Sequence, residues 1–130
     1  MSARKQPRIA RSLIDWKKQD KLQFRNFNES VDFHDVVKCI LMRMLRRKHP
    51  NRTRVPIYSE FAMTDEGIGD IWMRDEYGDI YVWEIQERIT KKWNRMIVKR
   101  YEEVNLIIVP LRKMPKTIGL LTKRLKEYIV

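Results

Sequence analysis

Asp70, Glu84 and Gln86 combine side chains and spacings that suit a hard-cation site. They lie in an acidic stretch, residues 69–87. Residues 79–87 alternate as a strand, so Glu84 and Gln86 share a face with Ile80 and Val82, while Tyr81, Trp83 and Ile85 take the other. Apolar residues on both faces place this strand inside a sheet. A carboxylate there is costly unless something neutralises it. Asp70 opens the preceding strand, residues 69–75, and a turn at Tyr77-Gly78-Asp79 returns the chain so that Asp70 meets Glu84. Glu60, on an earlier strand, is a third carboxylate candidate. Together with the main-chain carbonyl of Ile85 these acids would form an oxygen-only site for Mg²⁺ or Mn²⁺, with water completing the shell.

The charge distribution gives such a cation a purpose. The 130-residue chain carries a formal charge of +11, divided as +10 over residues 1–54, −8 over 55–87 and +9 over 88–130. Basic flanks around an acidic centre fit a protein that holds a polyanion and a cation together, with DNA the expected partner. The run Arg46-Arg47-Lys48 with Arg52 and Arg54 is the candidate phosphate contact.

The elements that must position these groups follow from periodicity. Residues 1–29 read as a basic arm and a short helix, and residues 30–130 as one domain. An apolar stripe through Phe33, Val37, Ile40 and Met44 predicts a helix over 31–48, with acids in its first turns and bases in its last. Three strands follow, over 55–63, 69–75 and 79–87. Thr90 caps a helix over 90–103, with Trp93, Met96, Ile97 and Tyr101 on one face. Residues 104–109 are a continuous apolar run, read as a strand buried on both faces. A final helix over 116–129 packs through Ile118, Leu121, Leu125 and Tyr128. The expected fold is α/β, with a central mixed sheet flanked by helices.

The pattern Glu60, Gly69-Asp70, Glu84-Ile85-Gln86 on an α-β-β-β-α-β frame resembles the PD-(D/E)xK nuclease superfamily, over about residues 30–110. It looks closest to the small archaeal and viral resolvase-like members and to CoiA-like proteins. The resemblance implies a restriction-endonuclease-like αβββαβ core with an added C-terminal helix. It implies a Mg-dependent DNA endonuclease that hydrolyses phosphodiester bonds, with branched or recombination-intermediate DNA among the implied substrates. Asp70 and Glu84 then hold the metal, with Ile85 and Glu60 as further ligands, and Gln86 helps to place the attacking water. His34 and Lys38, one helical turn apart, match an accessory pair of the CoiA-like group. Gly69 stands where the family name has Pro, and Gln86 where Lys is usual. Lys91 or Lys92 would supply the missing charge. The helical Gln-xxx-Tyr signature of the RecB-like branch is incomplete, because Tyr101 is present but Ile97 holds the Gln position. The competing expectation is a catalytically inactive nucleic-acid-binding protein on the same fold.

Other residues read as structural. Asp75, Glu76 and Asp79 flank a turn and are expected in solvent, as are Asp65 and Glu66. Glu87 alternates away from Glu84. Trp72, Trp83 and Cys39 are expected in the core, and His49 at a helix end. The single cysteine and the lack of an apolar span point to an intracellular protein, in the host cytoplasm if viral, with no membrane contact. The small size suggests a homodimer, since a single site cuts one strand.

Overall fold

The computed structural model describes residues 33–62 and 68–130. The basic arm, the short helix before residue 30 and the loop acids Asp65 and Glu66 lie outside the described residues. Within them the order is α1 (Phe33–Lys48), β1 (Ile57–Ala62), β2 (Ile68–Arg74), β3 (Ile80–Gln86), α2 (Lys91–Arg100), β4 (Asn105–Pro110) and α3 (Ile118–Leu125). Two 3₁₀ turns, Leu111–Lys113 and Lys126–Tyr128, follow β4 and α3.

The four strands form one mixed sheet in the order β1-β2-β3-β4. The first three run antiparallel and β4 runs parallel to β3, with α2 as the crossover between them. On one face α1 and α3 bury Val37, Leu41, Leu45, Leu121 and Leu125 against Ile71, Met73, Trp83 and Ile85. On the other face Ile97 and Tyr101, from the end of α2, cover Trp72, Ile80 and Val82. The alternation expected of residues 79–87 is therefore present over Ile80–Gln86, and Trp72 and Trp83 are fully buried.

The β2–β3 turn has a local cause. Asp75 Oδ1 accepts from the backbone N–H groups of Tyr77 and Asp79, each at 2.9 Å, and Gly78 takes φ +89°. That dihedral favours glycine. Asp75 is thus a turn organiser rather than only a solvated acid. At the start of α2 the Thr90 hydroxyl accepts from Trp93 N–H at 3.1 Å, as a helix cap.

Several expectations are corrected. Cys39 is exposed, because the buried stripe of α1 runs through Val37, Leu41 and Leu45 and position 39 falls on the far side. Among the described residues strand β4 pairs only with β3 and is mostly half-buried, with Val109 alone fully covered. Its apolar run packs on both faces, Ile107 and Val109 on one and Leu106 and Ile108 on the other, but the position at the sheet's end leaves most of it only half-buried. Ile118 is 75% exposed at the first position of α3, so it does not join the stripe of Leu121 and Leu125. His49 is more than a helix end, since its Nε2 lies 2.8 Å from the carbonyl oxygen of Val130 and ties α1 to the chain's last residue. No helix among the described residues is long and apolar enough to cross a membrane.

Candidate active site

The register sets the site. Ile71 pairs with Ser59 on one side and Trp83 on the other, so the next row outward holds Glu60, Asp70 and Glu84 on three adjacent strands. Asp70 and Glu84 project on the α2 side of the sheet, in phase with Trp72 and Val82.

Glu60 departs from this row. It takes φ +49°, the left-handed region that a residue with a Cβ seldom adopts. The alternation breaks there, so that Tyr58 and Phe61, three apart, pack in the same cluster. The carboxylate of Glu60 accepts from Lys38 Nζ at 2.9 Å, and that lysine is itself buried on α1. Phe61 then lies across its register partner Gly69, where a Cβ would fall inside the phenyl ring. This gives Gly69 a structural reason on the chain's own terms.

Asp70 is held from two directions. Its Oδ2 accepts from the Ile85 backbone N–H at 2.7 Å, and its Oδ1 lies 3.1 Å from His34 Nε2. Glu84 is 8% exposed and accepts from the Tyr101 hydroxyl at 2.6 Å. Its carboxyl is pushed up to about 8, chiefly by burial. The Tyr101 hydrogen bond opposes that shift, the neighbouring charge of Asp70 and a hydrogen bond shared with it reinforce it, and Arg100 opposes it weakly. The Tyr101 phenol is raised in turn, first by burial and then by Glu84. Two carboxyls in contact, one of them holding a proton, form an arrangement that a divalent cation would balance.

An open cleft of about 450 Å³ exposes this pair. Its walls include His34, Gln86, Glu87, Trp93 and Arg100. It lies past the C-terminal ends of the parallel strands β3 and β4, where α/β sheets commonly bind ligands. Among the described residues no three His, Cys, Asp or Glu side chains group as a metal-ligand set. Asp70 and Glu84 make a two-carboxylate site, and Glu60 is turned to Lys38.

The structure thus brings Asp70, Glu84, Ile85, Gln86 and His34 to one cleft. It places Lys38 behind them, on Glu60. Gln86 Nε2 donates to the Arg88 carbonyl at 3.2 Å. Lys91 and Lys92 are exposed on the first turn of α2 and do not line the cleft. The basic run lies elsewhere. At ~1.5 Å of rise per residue, His34 and Arg47 are about 20 Å apart along α1. Arg46 also commits one nitrogen to the carbonyls of His49 and Val55, both at 3.0 Å, which secures the α1–β1 connection. Arg47, Lys48, Arg52 and Arg54 are exposed at that far end.

Two residues reach the site in ways the sequence does not assign. Tyr101, read as part of the apolar face of α2 and as the matching half of an incomplete Gln-xxx-Tyr signature, is the hydrogen-bond partner of Glu84. Glu87 lines the cleft because β3 ends at Gln86 and strand alternation no longer governs it. No protein-family model, no curated protein and no solved structure matches this chain.

Proposed function

We propose that this chain is a divalent-cation-dependent DNA nuclease built on the restriction-endonuclease-like plan, with Asp70 and Glu84 as its metal ligands. The observation that carries the reading is the Asp70–Glu84 pair. Two carboxyls from adjacent strands touch at the floor of an open cleft, and one is held protonated near neutral pH. A bound Mg²⁺ or Mn²⁺ would take the place of that proton, and the hard oxygen donors present suit either ion. The Ile85 carbonyl is a further oxygen of the same strand.

When bound, the cation supplies charge to the scissile phosphate and acidifies the attacking water. The chain's own groups do the rest. Ile85 N–H and His34 fix the orientation of Asp70, and Tyr101 fixes that of Glu84. Arg100, on the cleft wall, meets phosphate charge. Gln86 has one amide N–H committed to Arg88, which leaves its carbonyl oxygen to accept from a water. Water adds to phosphorus, the bond to the 3′ oxygen breaks, and the products are a 3′ hydroxyl and a 5′ phosphate. The two protons of the water go to the leaving oxygen and to solvent.

One observation favours a second reading, a nucleic-acid-binding protein whose chemistry has lapsed. Gln86 takes the usual lysine position, and among the described residues no lysine lines the carboxylate cleft. Cleavage separates the two. Labelled single-stranded, duplex and four-way-junction DNA would be incubated with Mn²⁺ and wild type, Asp70→Ala or Glu84→Ala. Cleavage by wild type and by neither variant supports the nuclease. Salt-sensitive binding by wild type without cleavage supports the lapsed enzyme. Cleavage that survives both substitutions overturns the assignment of these residues.

A further inference from the structure

A second pocket, of about 320 Å³, adjoins the carboxylate cleft and shares His34, Glu87 and Leu111 with it. Its other walls differ in kind. Phe33 and Met114 are apolar, and both belong to the packing of α1 and α3 on the sheet. Arg112 and Lys116 are exposed cations. Lys116 Nζ sits 5.8 Å from the Phe33 ring centroid. Among the described residues neither cation makes a hydrogen bond or ion pair, and both are exposed at the rim of the pocket. With Arg100 of the cleft wall, these cations lie beside the site, unlike the run at the far end of α1.

We propose that this pocket takes one unpaired nucleotide of the strand being cut, with its base against Phe33, Leu111 and Met114 and its phosphate on Arg112 and Lys116. The inference rests on the nuclease reading for the identity of that strand. Its grounds are an aromatic and apolar wall with a cationic rim, which matches the two halves of a nucleotide. The volume is that of a small-molecule site and far too small for a duplex. The shared wall keeps the next phosphate of the same strand within the Asp70–Glu84 cleft. The substrate class follows: single-stranded DNA, or a junction or flap with a splayed base at the cut, in preference to continuous duplex.

The test uses a fluorescein-labelled oligothymidylate and a blunt duplex of equal length, followed by anisotropy in EDTA. The proteins are wild type, Phe33→Leu and the double variant Arg112→Gln/Lys116→Gln. Leucine keeps the apolar bulk that Phe33 gives the core, and thermal melting confirms that each variant folds. Wild type is expected to prefer the oligothymidylate. Phe33→Leu should weaken that binding by about tenfold and leave duplex binding unchanged. The double variant should weaken it too and flatten its salt dependence by about one unit of slope per cation removed. Oligothymidylate binding equal to wild type in both variants overturns the pocket. Mn²⁺ cleavage run in parallel separates the two proposals. If wild type cuts and both variants cut single strands equally well, the pocket fails and the nuclease stands. If wild type cuts nothing but Phe33→Leu selectively loses the oligothymidylate, the nuclease fails and the pocket stands.

Discussion

The hairpin of β2 and β3 carries acids at both ends, and the two ends do different work. At the turn, Asp79 is open to solvent and Asp75 is half-buried, and the Asp75 carboxylate is satisfied by two backbone N–H groups. At the other end, Asp70 and Glu84 face each other across neighbouring strands, and burial holds a proton on Glu84. The residue types are the same and the strands are the same. What differs is access to water and the supply of donors. A half-buried carboxylate with two N–H partners is content as an anion, whereas a buried one beside another carboxylate needs a proton or a cation. The turn end is architecture, and the open end is a site that favours positive charge.

The sharpest way to break this comparison is to remove an acid from each end and measure cleavage with Mn²⁺. On the proposed nuclease reading, Asp70→Ala or Glu84→Ala is expected to cost about three orders of magnitude or more in rate, since the cation these carboxyls would hold goes with them. Asp75→Ala should leave the rate within about twofold of wild type in protein that remains folded.

The next largest effect is on stability. The folded-state value of Glu84, about 8, lies above the ordinary 4.5 of the unfolded chain. Between those values the folded protein keeps a proton that the unfolded chain gives up. Its relative stabilisation is thus complete below 4.5 and is lost as pH rises through 8. Chemical denaturation of metal-free protein should show stability falling across that window. Glu84→Gln mimics the protonated form and keeps an acceptor for Tyr101, so it should flatten the profile. At its alkaline end the variant gains on the order of a few kcal/mol over wild type. A wild-type profile already flat across the window would place Glu84 with the acids of the turn.

Smaller again is the turn itself. Asp75→Ala removes two side-chain acceptor bonds and is expected to lower stability by about 1–2 kcal/mol, read by urea denaturation. Tyr101→Phe refines the picture at the site by a similar or smaller amount, about 1 kcal/mol. It deletes the hydrogen bond that opposes the rise at Glu84, so the midpoint of the Glu84 carboxyl, followed by NMR, should move further up. A downward movement would show that the tyrosine hydroxyl favours the protonated carboxyl instead of the carboxylate.

Much of this is legible in the sequence, for physical reasons. Period-two alternation through Ile80, Val82 and Glu84 fixes the face of the key glutamate. The glycine turn fixes which strand neighbours it, and so pairs it with Asp70. The helix over 33–48 is visible as an apolar stripe with charges matched to its ends. The rest depends on interactions that spacing does not encode. Nothing in residues 55–63 announces that Glu60 takes φ +49° and abandons the row for Lys38. Tyr101 falls in phase with Ile97 and reads as core, because periodicity reports the buried side of a helix and not which polar group waits there. Alternation extended one residue beyond the end of β3 sends Glu87 away from the site, although it lines the cleft. The net charge points to phosphate, yet it does not say that Arg112 and Lys116 lie nearer the cleft than the denser basic run on α1.

Whether the open end of the hairpin holds a metal is best decided by calorimetric titration of Mn²⁺ into wild type, Asp70→Asn, Glu84→Gln and Asp75→Ala at neutral pH. Saturable binding is expected for wild type and Asp75→Ala, accompanied by proton release from Glu84 and therefore by an enthalpy that depends on the buffer. In Asp70→Asn and Glu84→Gln the binding should weaken by at least about tenfold. Equal binding by all four proteins, or none by wild type, would contradict the assignment of Asp70 and Glu84 as metal ligands.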